Sequence, residues 1–124
     1  MIINQCLLLH INEDPEPLKE LEAIAEVDGI DMLFFGPADF SHGIGAPCQW
    51  DDPRIASTRK QIAEAAIRHG KFAGTVGTPD NFNEIIDMGY RFINIGADVH
   101  ALNKYCKTLL NKFQQSVAKR SKKI

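Results

Sequence analysis

The stretch Met32-Leu33-Phe34-Phe35-Gly36-Pro37-Ala38-Asp39 decides how this chain is read. Its unbroken apolar run predicts a strand buried on both faces, as in a parallel sheet. Gly36-Pro37 then breaks the run, and Asp39 lies directly beyond the break. The run Cys6-Leu7-Leu8-Leu9-His10-Ile11 reads the same way, with Glu13 just past its end. Neighbouring parallel strands lie about 5 Å apart, so acids at two such ends can converge on one divalent cation. Mg²⁺ is commonly held by one or two carboxylates together with waters and substrate oxygens. From spacing alone a second reading stays open, in which Asp39 caps a turn and Glu13 is a solvated loop acid.

Outward from this stretch, a strand-then-helix pattern recurs along the chain. Asp14 and Pro15 predict a helix N-cap and first-turn proline. Leu18, Leu21, Ile24 and Ala25 follow at helical spacing, and Gly29 ends the unit. The glycines and prolines between Pro37 and Trp50 predict a long loop without regular structure, with Trp50 a packing lid and Ser41 a cap. Asp52-Pro53 then starts a helix whose apolar face runs through Ile55, Ile62, Ala66 and His69, closed by Gly70. Phe72 to Val76 reads as the third strand. Thr78-Pro79-Asp80 predicts the cap of a helix through Phe82, Ile85, Ile86 and Met88, stopped by Gly89. Phe92 to Ile95 reads as the fourth strand, and Asp98 as the N-cap of a last helix. Leu102, Tyr105, Leu109 and Phe113 give that helix an expected buried stripe.

This alternation predicts an α/β fold of parallel strands joined by right-handed helical crossovers. Four (β/α) units make a twisted sheet that cannot close on itself. Two chains can close one barrel, or each can leave its edges open, which invites aggregation. The strand count therefore predicts a homo-oligomer. One domain is expected, a (β/α) body over residues 1–116 with a basic tail at 117–124.

Composition bounds the function classes. The chain has 124 residues, 44% hydrophobic and 24% charged, as in a soluble globular protein. A formal charge of −2 argues against a general nucleic-acid binder. Lys112, Lys119, Arg120, Lys122 and Lys123 cluster near the C-terminus; such a run can touch polyanions, but a solvated helix end is the simpler reading. No apolar stretch approaches the ~20 residues of a membrane span, and Met1 to Leu9 lacks the basic start of a signal peptide. Cys6, Cys48 and Cys106 show no metal-binding pair spacing. Cys6 and Cys106 read as buried free thiols and Cys48 as a loop thiol, which suits a reducing cytoplasm.

The block from Val27-Asp28-Gly29-Ile30-Asp31 through Gly36-Pro37-Ala38-Asp39-Phe40-Ser41 resembles the HpcH/HpaI aldolase/citrate lyase family. So do Gly45, Gly70-Lys71-Phe72-Ala73-Gly74, and Met88-Gly89-Tyr90-Arg91-Phe92-Ile93-Asn94-Ile95-Gly96-Ala97-Asp98. The likeness runs from about Cys6 to about Leu110, with motif order kept. It implies about four of the eight units of a TIM-type (β/α)₈ barrel, the C-terminal half, since a whole barrel needs ~250 residues. It further implies a carbon–carbon lyase acting on a 2-oxo acid such as pyruvate, with Mg²⁺ or Mn²⁺ as cofactor.

The resemblance implies metal ligation by Glu13 and Asp39, and substrate-carboxylate binding by the turn Gly36, Pro37, Ala38 and Asp39. Anchoring on Pro15 selects Glu13, whereas anchoring on the strand selects Asn12. The first register puts Ile11 where the family often has a glutamine; the second offers His10 as its substitute. The family's N-terminal half supplies a proton-transferring histidine and a carboxylate-binding arginine that have no counterparts here. His42, in the expected loop, is the only weak candidate for a proton carrier. The rival expectation is a non-catalytic barrel remnant that binds a metal or a carboxylate and serves as an interaction module.

Overall fold

The computed structural model of the chain describes residues 9–12 and 14–121. Strands β1 (Leu9–Asn12), β2 (Met32–Phe35), β3 (Phe72–Gly77) and β4 (Phe92–Ile95) form one sheet in the order β1-β2-β3-β4. Every pairing is parallel. The crossovers carry helices α1 (Leu21–Glu26), α2 (Pro37–Gly43), α3 (Pro53–Arg68) and α4 (Phe82–Asp87), and α5 (Asp98–Ser121) follows β4. Cys6, and with it the start of the expected first strand, lies outside the described residues.

The register assigns the two faces of the sheet. Leu33, Phe35, Ala73 and Ile93 occupy matched positions, and they pack with Leu21 and Ala25 of α1, Phe40 of α2, Ile62 and Ala66 of α3 and Ile85 of α4. This is the helix-covered face. Met32, Phe34, Gly74 and Phe92 share the other face, where a Cβ on Gly74 would sit 2.7 Å from Met32 Sδ and 2.8 Å from Phe34 Cδ2. Thr75, buried on the helix side, satisfies its hydroxyl by donating to the Phe35 carbonyl at 3.0 Å.

Local chemistry explains where helices start and stop. Asp52 caps α3, its carboxylate accepting from the Arg54 amide at 2.9 Å, with Pro53 in the first turn. Gly70 ends α3 with φ +66; its amide donates to the Ile67 carbonyl and that of Lys71 to Ala66, the paired bonds of a left-handed C-cap. Gly89 ends α4 in the same way.

Several expectations are corrected. The stretch from Pro37 to Trp50 is not all irregular, because α2 occupies its first half. The proline and glycine that argued for a loop are a helix's own punctuation: Pro37 lies in the first turn, and Gly45 (φ +72) follows the last one. The helix expected from Asp14 is split into a 3₁₀ segment (Glu16–Glu20) and the short α1, since Pro15 and Pro17 both withhold amide donors. Helix α4 is not capped by Thr78; the Asn81 side chain instead accepts from the Thr78 amide at 2.7 Å. Trp50 is 57% exposed and covers nothing.

The largest departure is α5. Its expected buried stripe is open to solvent, with Leu102 at 63%, Tyr105 at 62%, Leu109 at 38% and Phe113 at 69% exposure. Cys106, expected to be buried, is an exposed free thiol on the same helix. The helix continues from Asp98 through Ser121, across the boundary expected between body and tail. It does not fold back on the sheet, so its apolar side has no cover from the described residues. No helix among them is long and apolar enough to cross a membrane.

Candidate active site

Parallel sheets place functional groups beyond the C-terminal ends of their strands, where the crossovers begin. At the end of β2, buried Gly36 turns the chain and α2 starts at once. Ala38 and Asp39 fall in the first turn of α2, and both are exposed. First-turn amides have no acceptor within their own helix, so those of Ala38 and Asp39 are placed to donate to an anion. Asp39 forms no salt bridge with any described residue. Its carboxylate oxygens, hard donors suited to Mg²⁺ or Mn²⁺, are uncommitted to any cation among the described residues.

Glu13 lies outside the described residues. Asn12, its neighbour, is the register partner of Phe35, so β1 and β2 end level with each other. Among the described residues no group of three or more His, Cys, Asp or Glu is arranged to hold a metal ion. A site made of one or two carboxylates plus waters does not require one. His42 is exposed in the last turn of α2, three residues beyond Asp39 and thus on the same helical face. Asp98 opens α5 beyond the end of β4, and its carboxylate accepts from the Val99 amide at 2.7 Å. The exposed His100 belongs to the same turn.

Several residues hold this platform in place. Ser41 is fully buried; its hydroxyl donates to the Ala38 carbonyl at 2.6 Å and accepts from the Cys48 amide at 3.1 Å. It thereby ties the loop to the turn carrying Asp39, and Cys48 adopts φ +59 to reach it. Arg54 grips Asp52 through two guanidinium bonds, at 2.9 and 2.7 Å, and donates to the Ile44 carbonyl at 3.1 Å. These bonds hold the Asp52 carboxyl down to about 2. Arg59 lies 5.9 Å from the Phe35 ring centroid, a cation–π distance, while its buried Nε has no hydrogen-bond acceptor among the described residues. Tyr90 donates to the Arg59 carbonyl at 2.7 Å, and burial pushes its phenol above the usual range. At the opposite end of the helical layer Glu22 pairs with Arg68 and His69, which hold its carboxyl below the usual range, Arg68 foremost.

The sequence reading missed Ser41, Arg54 and Thr75 as positioning groups. Thr75 had a readable signal, being the one polar side chain in an otherwise apolar and glycine strand. Ser41 and Arg54 had none, because the Ala38 carbonyl, the Cys48 amide and the Ile44 carbonyl that they bind are brought to them by loop geometry. An open cleft of about 590 Å³ lies at Lys60, Glu64, Glu84, Asp87 and Met88, remote from the strand ends.

Parallel strands in sequential order, helices over one face and candidate ligands at the strand ends define part of a (β/α) barrel of the TIM type. The chain belongs to the HpcH/HpaI aldolase/citrate lyase family, whose model matches residues 2–104. It is 34% identical over 111 residues to the hydroxypyruvate/pyruvate aldolase of Roseobacter denitrificans, covering 89% of this chain and 43% of that protein. It is 35% identical over 94 residues to the 2-keto-3-deoxy-L-rhamnonate aldolase of Klebsiella pneumoniae, covering 75% of this chain and 35% of that one. An HpcH/HpaI family protein from Burkholderia cenocepacia superposes with a TM-score of 0.79 at 25% identity, over 89% of this chain and 43% of the other. The chain spans less than half the length of these relatives.

Proposed function

We propose that this chain supplies the metal-holding part of the site of a divalent-metal-dependent aldolase, a carbon–carbon lyase acting on a 2-oxo acid such as pyruvate. The placement of Asp39 carries the reading: it is exposed, pairs with no cation among the described residues, and lies one turn beyond the end of a parallel strand. Asp39 and Glu13 are the residues to hold the cation, Mg²⁺ or Mn²⁺. Glu13 is preferred to Asn12 because a carboxylate is the stronger ligand for such a hard cation. A cation held there supplies Lewis-acid polarisation of the ketone oxygen.

The remaining work falls to groups of the chain itself. Gly36 and Pro37 shape the turn, and the amides of Ala38 and Asp39 bind the substrate carboxylate. Carbon–carbon cleavage also needs a proton carrier. His42, exposed on the same face of α2 as Asp39, is the proposed candidate for that role. The free, exposed Cys48 and Cys106 suit a reducing compartment such as the cytoplasm.

The test is solvent deuterium incorporation into the methyl group of pyruvate, with and without Mn²⁺. Slow metal-dependent exchange is expected, with retro-aldol turnover about 10²–10⁴-fold below that of a complete aldolase, the usual cost of a missing general base. Absence of any metal-dependent exchange would overturn the catalytic reading. It would favour instead a non-catalytic barrel remnant acting as an interaction module, to which the open sheet and uncovered α5 also point. Turnover at the level of a complete aldolase would show that the base is present in the assembled protein, and His42→Ala would then be the first variant to assay.

A further inference from the structure

We infer that Ser41 is a positioning residue for Asp39: its hydroxyl fixes the peptide that joins Ala38 to Asp39, and the loop amide of Cys48 holds that hydroxyl in place. The inference rests on the reading of Asp39 as a metal ligand.

A serine or threonine inside a helix commonly turns its hydroxyl back to the carbonyl three or four residues earlier. Ser57 does so to Arg54, Thr108 to Lys104 and Ser116 to Lys112, each on an exposed surface. Ser41 makes the same kind of bond to the Ala38 carbonyl, at 2.6 Å. Two features set it apart. It is fully buried, and its oxygen also accepts from the Cys48 amide, in the loop after α2, at 3.1 Å. A buried hydroxyl must satisfy its proton as well as its oxygen. With the Cys48 N–H directed at the oxygen, the Ser41 proton is left to the Ala38 carbonyl, and the hydroxyl rotor is locked. Hydrogen bonds joined end to end in this way polarise and strengthen one another.

Holding Cys48 there strains the backbone. Its φ of +59 is the one positive value outside glycine among the described residues, a conformation in which Cβ crowds the following carbonyl. A second bond returns the same loop to the same residue, from the Ala46 amide to the Ser41 carbonyl at 2.9 Å. Ser41 thus clasps the loop through backbone and side chain together.

The effect reaches Asp39 through covalent geometry. The Ala38 carbonyl and the Asp39 amide are two ends of one planar unit. A carbonyl fixed at one end therefore fixes the bond from which Asp39 departs at the other. Asp39 is exposed and forms no salt bridge with any described residue, so no ion pair sets its direction and the backbone does. Groups that orient a metal ligand from behind commonly contribute about 10–100-fold to metal affinity.

Calorimetric titration of Mn²⁺ into folded variants, well below their melting temperatures, tests the role. Ser41→Ala is expected to weaken binding about 10-fold. Ser41→Cys keeps the volume but donates weakly; it is expected to do the same, and it stands in if the alanine variant does not fold. Ser41→Thr keeps the hydroxyl and is expected to retain wild-type affinity. Ser57→Ala, which loses only an exposed back-bond, is expected to change nothing. A purely structural role would lower the melting temperature without moving the affinity of the folded protein. Wild-type affinity in folded Ser41→Ala or Ser41→Cys overturns the proposal, as does a loss in Ser41→Thr equal to that in Ser41→Ala, which would assign the effect to packing. Nuclear magnetic resonance of the metal-free chain separates this role from the metal reading. The Asp39 amide nitrogen is expected to shift in Ser41→Ala and to stay put in Ser57→Ala, because the lost bond lies across the same peptide. A wild type that binds no Mn²⁺ while Asp39 shifts would sink the metal reading and leave the positioning of Asp39 standing. An unmoved Asp39 amide overturns the positioning role whatever the metal does.

Discussion

From Leu21 to Tyr90 the chain builds a core in which Leu33, Phe35, Phe40, Ile62, Ile85 and Tyr90 are almost wholly buried. From Phe92 onward it buries very little, and every residue of α5 up to Arg120 is exposed. Both regions have the apolar periodicity of packed helices, and both belong to the same run of (β/α) units. The difference lies in what is available to cover them. Helix α3 lies over β2 and β3, which flank it in sequence, whereas α5 follows β4 and among the described residues is flanked by a strand on one side only. An amphipathic face records that cover is needed and leaves open which residues provide it.

The sharpest way to break this contrast is to truncate a large side chain in each region. Phe35→Ala or Phe40→Ala removes half of an edge-on ring pair at 5.4 Å in the core and should cost about 3–5 kcal/mol. Phe113→Ala, at 69% exposure, should change stability by less than about 0.5 kcal/mol. Denaturant midpoints compare them directly. A Phe113 effect as large as the core's would mean that α5 is buried in the assembled protein and that the contrast belongs to the isolated chain only.

A smaller effect separates two glycines. Gly89 (φ +101) and Gly96 (φ +78) both adopt left-handed backbone. A methyl on Gly89 would fall 2.5 Å from Ile67 Cδ1, while one on Gly96 meets nothing within 4 Å. Gly96→Ala should therefore cost only backbone strain, about 1 kcal/mol. Gly89→Ala adds displacement of Ile67 and should lower the melting temperature more. Equal losses would show that packing around α3 and α4 is looser than the distance implies.

The smallest effect is a pH dependence. Asp52 has its folded pKa lowered from 3.8 to about 2, chiefly by the side-chain bonds from Arg54. A depressed carboxylate stabilises the fold above its unfolded pKa and loses that contribution as pH falls through the folded one. Wild type should therefore melt above Asp52→Ala at neutral pH, with the gap narrowing below pH 3.8 and closing near pH 2. A gap that persisted at pH 2 would place the benefit in packing and not in the charge.

Much of the packed region was legible in the residues themselves. β2 and β4 have the bounds their apolar runs predict, and Asp52-Pro53 and Gly70 mark the two ends of α3. The helix within Pro37–Trp50 was hidden because Pro and Gly signal both helix ends and loops, and only the distance between them decides. The stripe Leu102-Tyr105-Leu109-Phe113 was read correctly as amphipathic and wrongly as buried, because periodicity is local and cover is not. At the candidate site the exposed Asp39 was visible from its place after a strand, while the Ser41 staple depends on a turn that no residue pattern announces.

We propose that Asp39, just beyond the end of β2, holds a divalent cation together with Glu13. Calorimetric titration of Mn²⁺ into the wild-type chain and into Asp39→Ala, Glu13→Ala and Asn12→Ala tests it most directly. The expected result is binding by wild type, none by Asp39→Ala, strong weakening in Glu13→Ala and no change in Asn12→Ala. Equal binding by all four would contradict the site, and binding lost in Asn12→Ala but kept in Glu13→Ala would contradict the assignment of its second ligand.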